Sequence, residues 1–396
     1  VILPLTVAAL LAAPLVRVGL EQVEAQGGAP LKGKRIGLLA HAASVTADGR
    51  HALDVLRRLG VDVRRLFAPE HGSSGRLAAG APVDGGVDPE TGLPVVSLYG
   101  KKAKPAPEDL VGLDALVVDL QDAGVRFYTY ESTLILCLEA AAEGRIELLV
   151  LDRPNPLGGE QMEGPLRDPT MPSSLLNLAP GPLIHGLTLG EMARLVNAGR
   201  ARPAHLTVIP MQGWSRAMTW VDTGRNWVPP SPNLRSAEAA LAYPGVCLLE
   251  ATNVSEGRGT EAPFLLLGAP WMKSEAVRVD ISAPGFALEP TRFTPRGASV
   301  ALEPKYRDRE CQGLRVRVTD PRTARPYALG IALLGTLRKH HPEFRFSREG
   351  AGLDGLLGTR RVREGLEHGQ SVGAILAGDA PGRDSFARDR RPALLY

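Results

Sequence analysis

Short apolar runs alternate with amphipathic stretches through the first half of the chain. Arg35-Ile36-Gly37-Leu38-Leu39-Ala40 is nearly all apolar and follows a basic turn at Lys32-Gly33-Lys34. His51 to Leu59 sets Leu53, Val55, Leu56 and Leu59 on or near one helical face. Val61 to Phe67 alternates and predicts a strand, which Pro69 should end. Pro94 to Tyr99 predicts a short strand, and Leu113 to Leu120 a buried one. Ser132 to Glu143 reads as an amphipathic helix rich in Leu and Ala, with a strand after it over Ile146 to Leu151. Strands separated by helices predict parallel βαβ units. Wholly apolar strands predict a sheet covered on both faces. The expected fold class is α/β, with a Rossmann-like, doubly wound, mostly parallel sheet.

The pattern then changes. Prolines and glycines are dense from Pro154 to Pro182. Thr188-Leu189-Gly190-Glu191 predicts a capping box opening a helix over Glu191 to Asn197, and Leu206 to Pro210 a strand. Pro229-Pro230-Ser231-Pro232-Asn233 excludes regular structure. A domain junction is expected near Ser236 to Gly245. Beyond it, Val277 to Ile281 and Leu314 to Val318 alternate like half-exposed strands, and Tyr327 to Arg338 reads as a helix. The expectation is a Rossmann-like N-terminal domain over 16–240 and a smaller α+β C-terminal domain over 241–396. Val1 to Leu15 carries no charge and reads as the apolar segment of an export signal. It is too short to span a membrane as a mature helix. A periplasmic or extracellular protein without stable membrane insertion is expected.

Composition narrows the function classes. A chain of 396 residues favours two domains. A net charge of +3 gives no push toward nucleic acid. Three cysteines make no disulfide framework. Cys137 falls in an apolar helical run, and a Cys247–Cys311 pair stays open. There is no CxxC, no HExxH, no Walker A sequence and no GxGxxG after a strand. No metal and no cofactor are therefore expected.

Polar residues gather immediately after the predicted strands: Glu70 and His71; Gln121, Asp122 and Arg126; Asp152, Arg153 and Asn155. In a doubly wound sheet these loops converge on one edge, where ligands bind. Any one of them is equally a cap or a turn. Asn253-Val254-Ser255-Glu256-Gly257-Arg258-Gly259-Thr260 is a second candidate: Glu256 and Arg258 would bind a sugar or carboxylate, or pair with each other. Phe127, Tyr128 and Tyr130 cluster, and Trp214, Trp220 and Trp227 bracket Asp222. Such rings pack on sugars or in cores. His41 and His185 are minor candidates to approach Glu70.

Taken together, the motifs resemble the exo-β-N-acetylmuramidase family of peptidoglycan-recycling enzymes. The matching runs are Ala68-Pro69-Glu70-His71-Gly72, Asp119-Leu120-Gln121-Asp122, Arg126-Phe127-Tyr128-Thr129-Tyr130 and Asp152-Arg153-Pro154-Asn155-Pro156-Leu157-Gly158-Gly159. Glu163-Gly164-Pro165, His185-Gly186-Leu187-Thr188, Pro229 to Asn233 and Asn253 to Thr260 extend the match. This resemblance implies a cleft between two domains and release of N-acetylmuramic acid from non-reducing ends of peptidoglycan fragments. The chain departs from the pattern at His41-Ala42, where the family has Asn-Pro, at Ser73-Ser74, and at Glu131, where an aliphatic residue is more familiar.

Glycosidases usually flank the scissile bond with two carboxyl groups. Glu70 is the expected general acid, oriented by His71 and Arg126, with a pKa raised by burial or a neighbouring carboxylate. Asp122 and Glu256 rank level for the second carboxyl. Arg258 and Arg153 are candidates to meet the lactyl carboxylate that distinguishes muramic acid. Gln121, Tyr128, Asn155, His185 and Asn253 complete the expected substrate contacts. A substrate-assisted route through the acetamido oxygen stays open. So do a non-catalytic muropeptide-binding protein and a metal-dependent hydrolase built on Glu70, His71, Asp122 and His185.

Overall fold

The computed structural model describes residues 15–72, 85–297 and 303–396. The export-signal segment through residue 14 and the Ser73-Ser74 departure lie outside them. Seven strands form the larger sheet: β1 (Arg35–Ala40), β2 (Asp62–Ala68), β3 (Gly86–Val87), β4 (Pro94–Ser97), β5 (Ala115–Asp119), β6 (Glu147–Leu151) and β7 (His205–Ile209). Their order is β3-β4-β2-β1-β5-β6-β7, and every pairing except β3–β4 is parallel. From β1 the chain winds outward through β2 to β4, then returns to β5 and winds the other way. The topological switch point lies between β1 and β5, where ligands of open α/β sheets bind.

Strand side chains alternate between two cores, as a sheet covered on both faces requires. Ile36, Leu38, Ala115, Val117, Leu149 and Leu151 pack on one face with Val18, Leu20 and Val23. Leu39, Leu116, Val118, Leu148 and Val150 pack on the other. That second core continues without a break into Leu314, Val316 and the helix Pro326–His340. The smaller unit carries an antiparallel sheet, β8 (Leu266–Ala269), β9 (Phe286–Phe293) and β10 (Cys311–Val318), ordered β8-β10-β9. The fold is thus α/β, mostly parallel, with a smaller second unit.

Several local expectations need correcting. Val277 to Ile281 is not a strand: Ser274–Val279 is a helix that buries Val277, exposes Val279 and pairs Arg278 with Glu275 at 2.8 Å. Three alternating β-branched residues mimic a strand, but one helical turn buries only the first. The stretch from Ser236 to Gly245, where a junction is expected, is regular structure. Ala237–Val246 is a buried helix capped by the Ser236 hydroxyl. Cys247 and Cys311 are both free thiols. The capping box at Thr188 is present, with Glu191 N–H donating to its hydroxyl at 3.2 Å. Among the described residues no helix is long and apolar enough to cross a membrane.

Candidate active site

Pro69 ends β2, and the chain turns back through His71 (φ 70°) and Gly72 (φ 73°). Gly72 N–H closes the turn on Pro69 O at 3.0 Å. A left-handed histidine is strained backbone, which persists only where its surroundings impose it. The turn aims Glu70 inward. Thr129 Oγ1 donates to Glu70 Oε2 at 2.7 Å. The Tyr130 hydroxyl stands 3.0 Å from Pro230 O and 3.2 Å from Glu70 O. Burial, then the charge of Glu70 and a hydrogen bond to it, push the Tyr99 phenol above its ordinary value. Glu70 is therefore a buried carboxyl held by hydroxyls.

His41 follows β1. Its Nε2 accepts the Gln121 N–H at 2.9 Å, and its ring meets Tyr130 edge-on at 5.0 Å. Burial and the adjacent Arg153 hold His41 well below its usual pKa, so it is neutral. The charges of Glu70 and Asp122 both act on Tyr128 and Tyr130. Those two rings, 4.8 Å apart, therefore stand among both carboxyls.

Asp122, Glu131 and His185 form a buried cluster beside this edge. Helix Thr129–Gly144 begins one turn earlier than its apolar pattern predicts, which carries Glu131 into the site. Asp122 Oδ2 accepts Gly124 N–H at 2.6 Å. Gly124 is left-handed (φ 76°), and any Cβ there would collide with the Asn155 carboxamide. Burial, then the Glu131 charge, push Asp122 well above the carboxylate range. Burial pushes Glu131 up to about 8. Two adjacent carboxyls out of water cannot both ionise cheaply, so the pair holds a proton.

The ligating atoms of this trio lie within 4.8 Å of one another, a spacing compatible with a divalent ion. The histidine argues otherwise. Leu187 N–H donates to His185 Nδ1 at 3.0 Å, so a neutral ring carries its proton on Nε2, which faces Glu131 Oε1. Burial lowers the His185 pKa to about 4, so the ring is neutral. A protonated Nε2 has no lone pair for a metal. The cluster is wired as hydrogen-bonded acids.

This wiring has a stability consequence. Unfolded, Glu131 titrates near the ordinary glutamate value; folded, it keeps its proton to about 8. The folded state binds more protons in that window, so this contribution to stability falls as pH rises through it. His185 acts oppositely, its contribution being lost as pH falls from its ordinary 6.5 toward about 4. Between pH 6.5 and 8 the Glu131 effect stands clear of the His185 one and adds to that of Glu163, which burial raises to about 7. Glu131→Gln combined with Asp122→Asn should flatten the wild-type decline in unfolding free energy across pH 6.5–8. Denaturant titrations at several pH values measure it, and parallel slopes would refute the shared proton.

The remaining expected site residues sort by partner. Arg153 forks onto Asp119 (2.5 and 2.9 Å) and donates to Val45 O at 3.0 Å. Gln121 lies between the ends of β1 and β6. Asn155 is a turn residue, donating to Leu187 O and accepting Leu157 N–H, each at 2.9 Å. Arg126 is fully buried and donates to Pro165 O, Gly181 O and Leu357 O, so it clamps the smaller unit rather than orienting Glu70. Asn253 spends its carboxamide on Glu343 O (2.8 Å) and Arg345 N–H (2.9 Å). Burial opposes charge on Glu256, but Lys305 and Arg258, each at 3.0 Å, hold its carboxyl below the ordinary value. Arg258 is spent on Glu250 and Glu256 and lies over Phe264 at 5.0 Å. The Tyr128, Tyr243 and Phe264 rings touch in sequence between the strand-end edge and that ion-pair group. The sequence brought Glu70, His71, Gln121, Asp122, Tyr128, Arg153 and His185 to one region. It did not single out Thr129, Tyr99 or Arg225, and it noted Glu131 only as a departure from the family pattern, where an aliphatic residue is more familiar.

Comparison with known proteins agrees with this architecture. The family model described as exo-beta-N-acetylmuramidase NamZ, N-terminal, matches residues 36–238, and its C-terminal counterpart matches 241–396. The peptidoglycan beta-N-acetylmuramidase NamZ of Bacillus subtilis (strain 168) is 39% identical over 388 residues, covering 97% of this chain and 92% of that protein. Two crystal structures of DUF1343 family proteins from Bacteroides fragilis superpose with TM-scores of 0.87 and 0.78, at 31% and 32% identity. Each alignment spans 96% of this chain and 99% of the other. With both family halves matched in order across nearly its whole length, this chain belongs to the NamZ exo-β-N-acetylmuramidase family.

Proposed function

We propose that this protein is a glycoside hydrolase that releases terminal, non-reducing N-acetylmuramic acid from peptidoglycan fragments, with Glu70 as its general acid. One observation carries the reading. A buried glutamate stands on the carboxyl edge of a parallel sheet, presented by a strained turn and held by Thr129. A carboxyl so held is positioned to protonate a leaving glycosidic oxygen. Asp122 is the companion carboxyl on the same edge. Glu256, ion-paired in the smaller unit, is left to structure. The Bacillus subtilis relative, named for muramidase activity, supports the substrate class.

Chromogenic β-N-acetylmuraminide and β-N-acetylglucosaminide, each with and without EDTA, test the proposal. Selective turnover of the muraminide, unaffected by EDTA, is the expected result. Turnover abolished by EDTA and restored by a divalent ion would move the reading to a metal-dependent hydrolase at Asp122, Glu131 and His185. Muramic acid bound without turnover would make the protein a receptor.

A further inference from the structure

At the switch point between β1 and β5 lies a cavity of about 360 Å³, near the lower end of small-molecule pocket sizes. Its walls include Val45 and Ala47 from the loop after β1, Gln121 after β5, Arg153 after β6, and Trp220 and Arg225 from a later segment. Strands β1, β5 and β6 stand roughly 5, 10 and 14 Å from β2 across the sheet. The cavity thus opens on the sheet edge that also carries Glu70.

Its polar groups are oriented in advance. Gln121 Nε2 spends both hydrogens, on Asp122 O (3.0 Å) and Pro154 O (2.9 Å). That fixes the amide, leaving Oε1 as a buried acceptor without a donor. Arg153 and Arg225 converge on Val45 O at 3.0 and 3.1 Å. Arg225 also donates to Val16 O (3.0 Å) and Glu21 (2.8 Å). Each guanidinium has five N–H donors and uses three in these bonds, counting Arg153 on Asp119. Trp220 ties its indole N–H to Arg225 O at 3.1 Å, so its ring offers only apolar surface.

We propose that this cavity holds the single terminal sugar that Glu70 cleaves off, an N-acylated amino sugar bearing a carboxylate. This rests on the muramidase reading and deepens it. Trp220 faces the apolar side of the ring, and the free N–H donors of Arg153 and Arg225 meet the carboxylate. Arg225 is the specificity residue that the sequence left unmarked. A cavity of this size, walled on one side by residues 43–49, matches one sugar, which suits attack at a chain end.

Ala47→Trp tests the proposal by filling the cavity from the loop side; Asn226→Trp does so from the 220–228 side. Two readouts are taken on each folded variant, with thermal melting as the fold control. They are KM on the muraminide and calorimetric binding of free N-acetylmuramic acid, with N-acetylglucosamine as comparison. The expected result is KM raised about tenfold or more with far less change in kcat, and loss of N-acetylmuramic acid binding. Arg225→Lys should narrow the preference for N-acetylmuramic acid over N-acetylglucosamine. Unchanged KM and unchanged binding in both tryptophan variants would overturn the cavity assignment, as would wild type that binds neither sugar. A wild type that binds N-acetylmuramic acid, loses it in Ala47→Trp, yet turns over no muraminide, would keep the pocket and sink the enzyme reading instead.

Discussion

Glu70→Gln is expected to lower kcat/KM on an alkyl β-N-acetylmuraminide by about 10²–10⁴, with the melting temperature close to wild type. The substitution keeps the side chain's shape and an oxygen for the Thr129 hydroxyl that now donates at 2.7 Å. It removes the one proton the reaction needs. The defect should shrink on an aryl muraminide whose phenol departs without protonation. An isosteric change to a merely structural glutamate would weaken both substrates alike. Equal losses on the two leaving groups would move the proton donor elsewhere, with Asp122 next in line.

Arg126→Leu is expected to destabilise the protein by about 3 kcal/mol or more, because three carbonyls, two of them buried, lose their donor. Pro165 and Gly181 belong to the long connection between β6 and β7, whereas Leu357 lies 231 residues away in the smaller unit. Burial lowers the Arg126 pKa to about 10, yet it stays charged at neutral pH and so makes charge-assisted bonds. Leucine fills part of the space but offers no N–H. Denaturant unfolding followed by tryptophan fluorescence measures the loss. A split into two transitions would show that this side chain couples the units. A change within about 0.5 kcal/mol, typical of surface positions, would contradict the clamp.

Arg126 also marks the boundary of what the chain discloses by inspection. In the sequence it stands four residues after Asp122 and reads as a binding-site cation. Its three acceptors are backbone carbonyls that no pattern identifies. Asn155, Asn253 and Glu256 share this history. Each is a polar residue of a recognisable motif, and each has protein partners that no pattern identifies. Glu131 shows the converse. Its helix begins at Thr129 because the first turn is stabilised by tertiary packing, whereas the apolar pattern is readable only from Ser132.

The sequence by itself determined the α/β class, the strands β1, β2, β5 and β6, the convergence of Glu70, Gln121, Asp122 and Arg153 on one sheet edge, and the capping box at Thr188. Those features follow from periodicity, prolines and short-range hydrogen bonds, which act between residues a few positions apart. Tertiary contacts alone place Asp122 beside Glu131, set Arg126 on three backbone carbonyls, ion-pair Glu256 with Lys305 and Arg258, and bring Arg225 to Arg153 over Val45 O. A buried polar atom must find a partner, and folding brings that partner from anywhere along the chain.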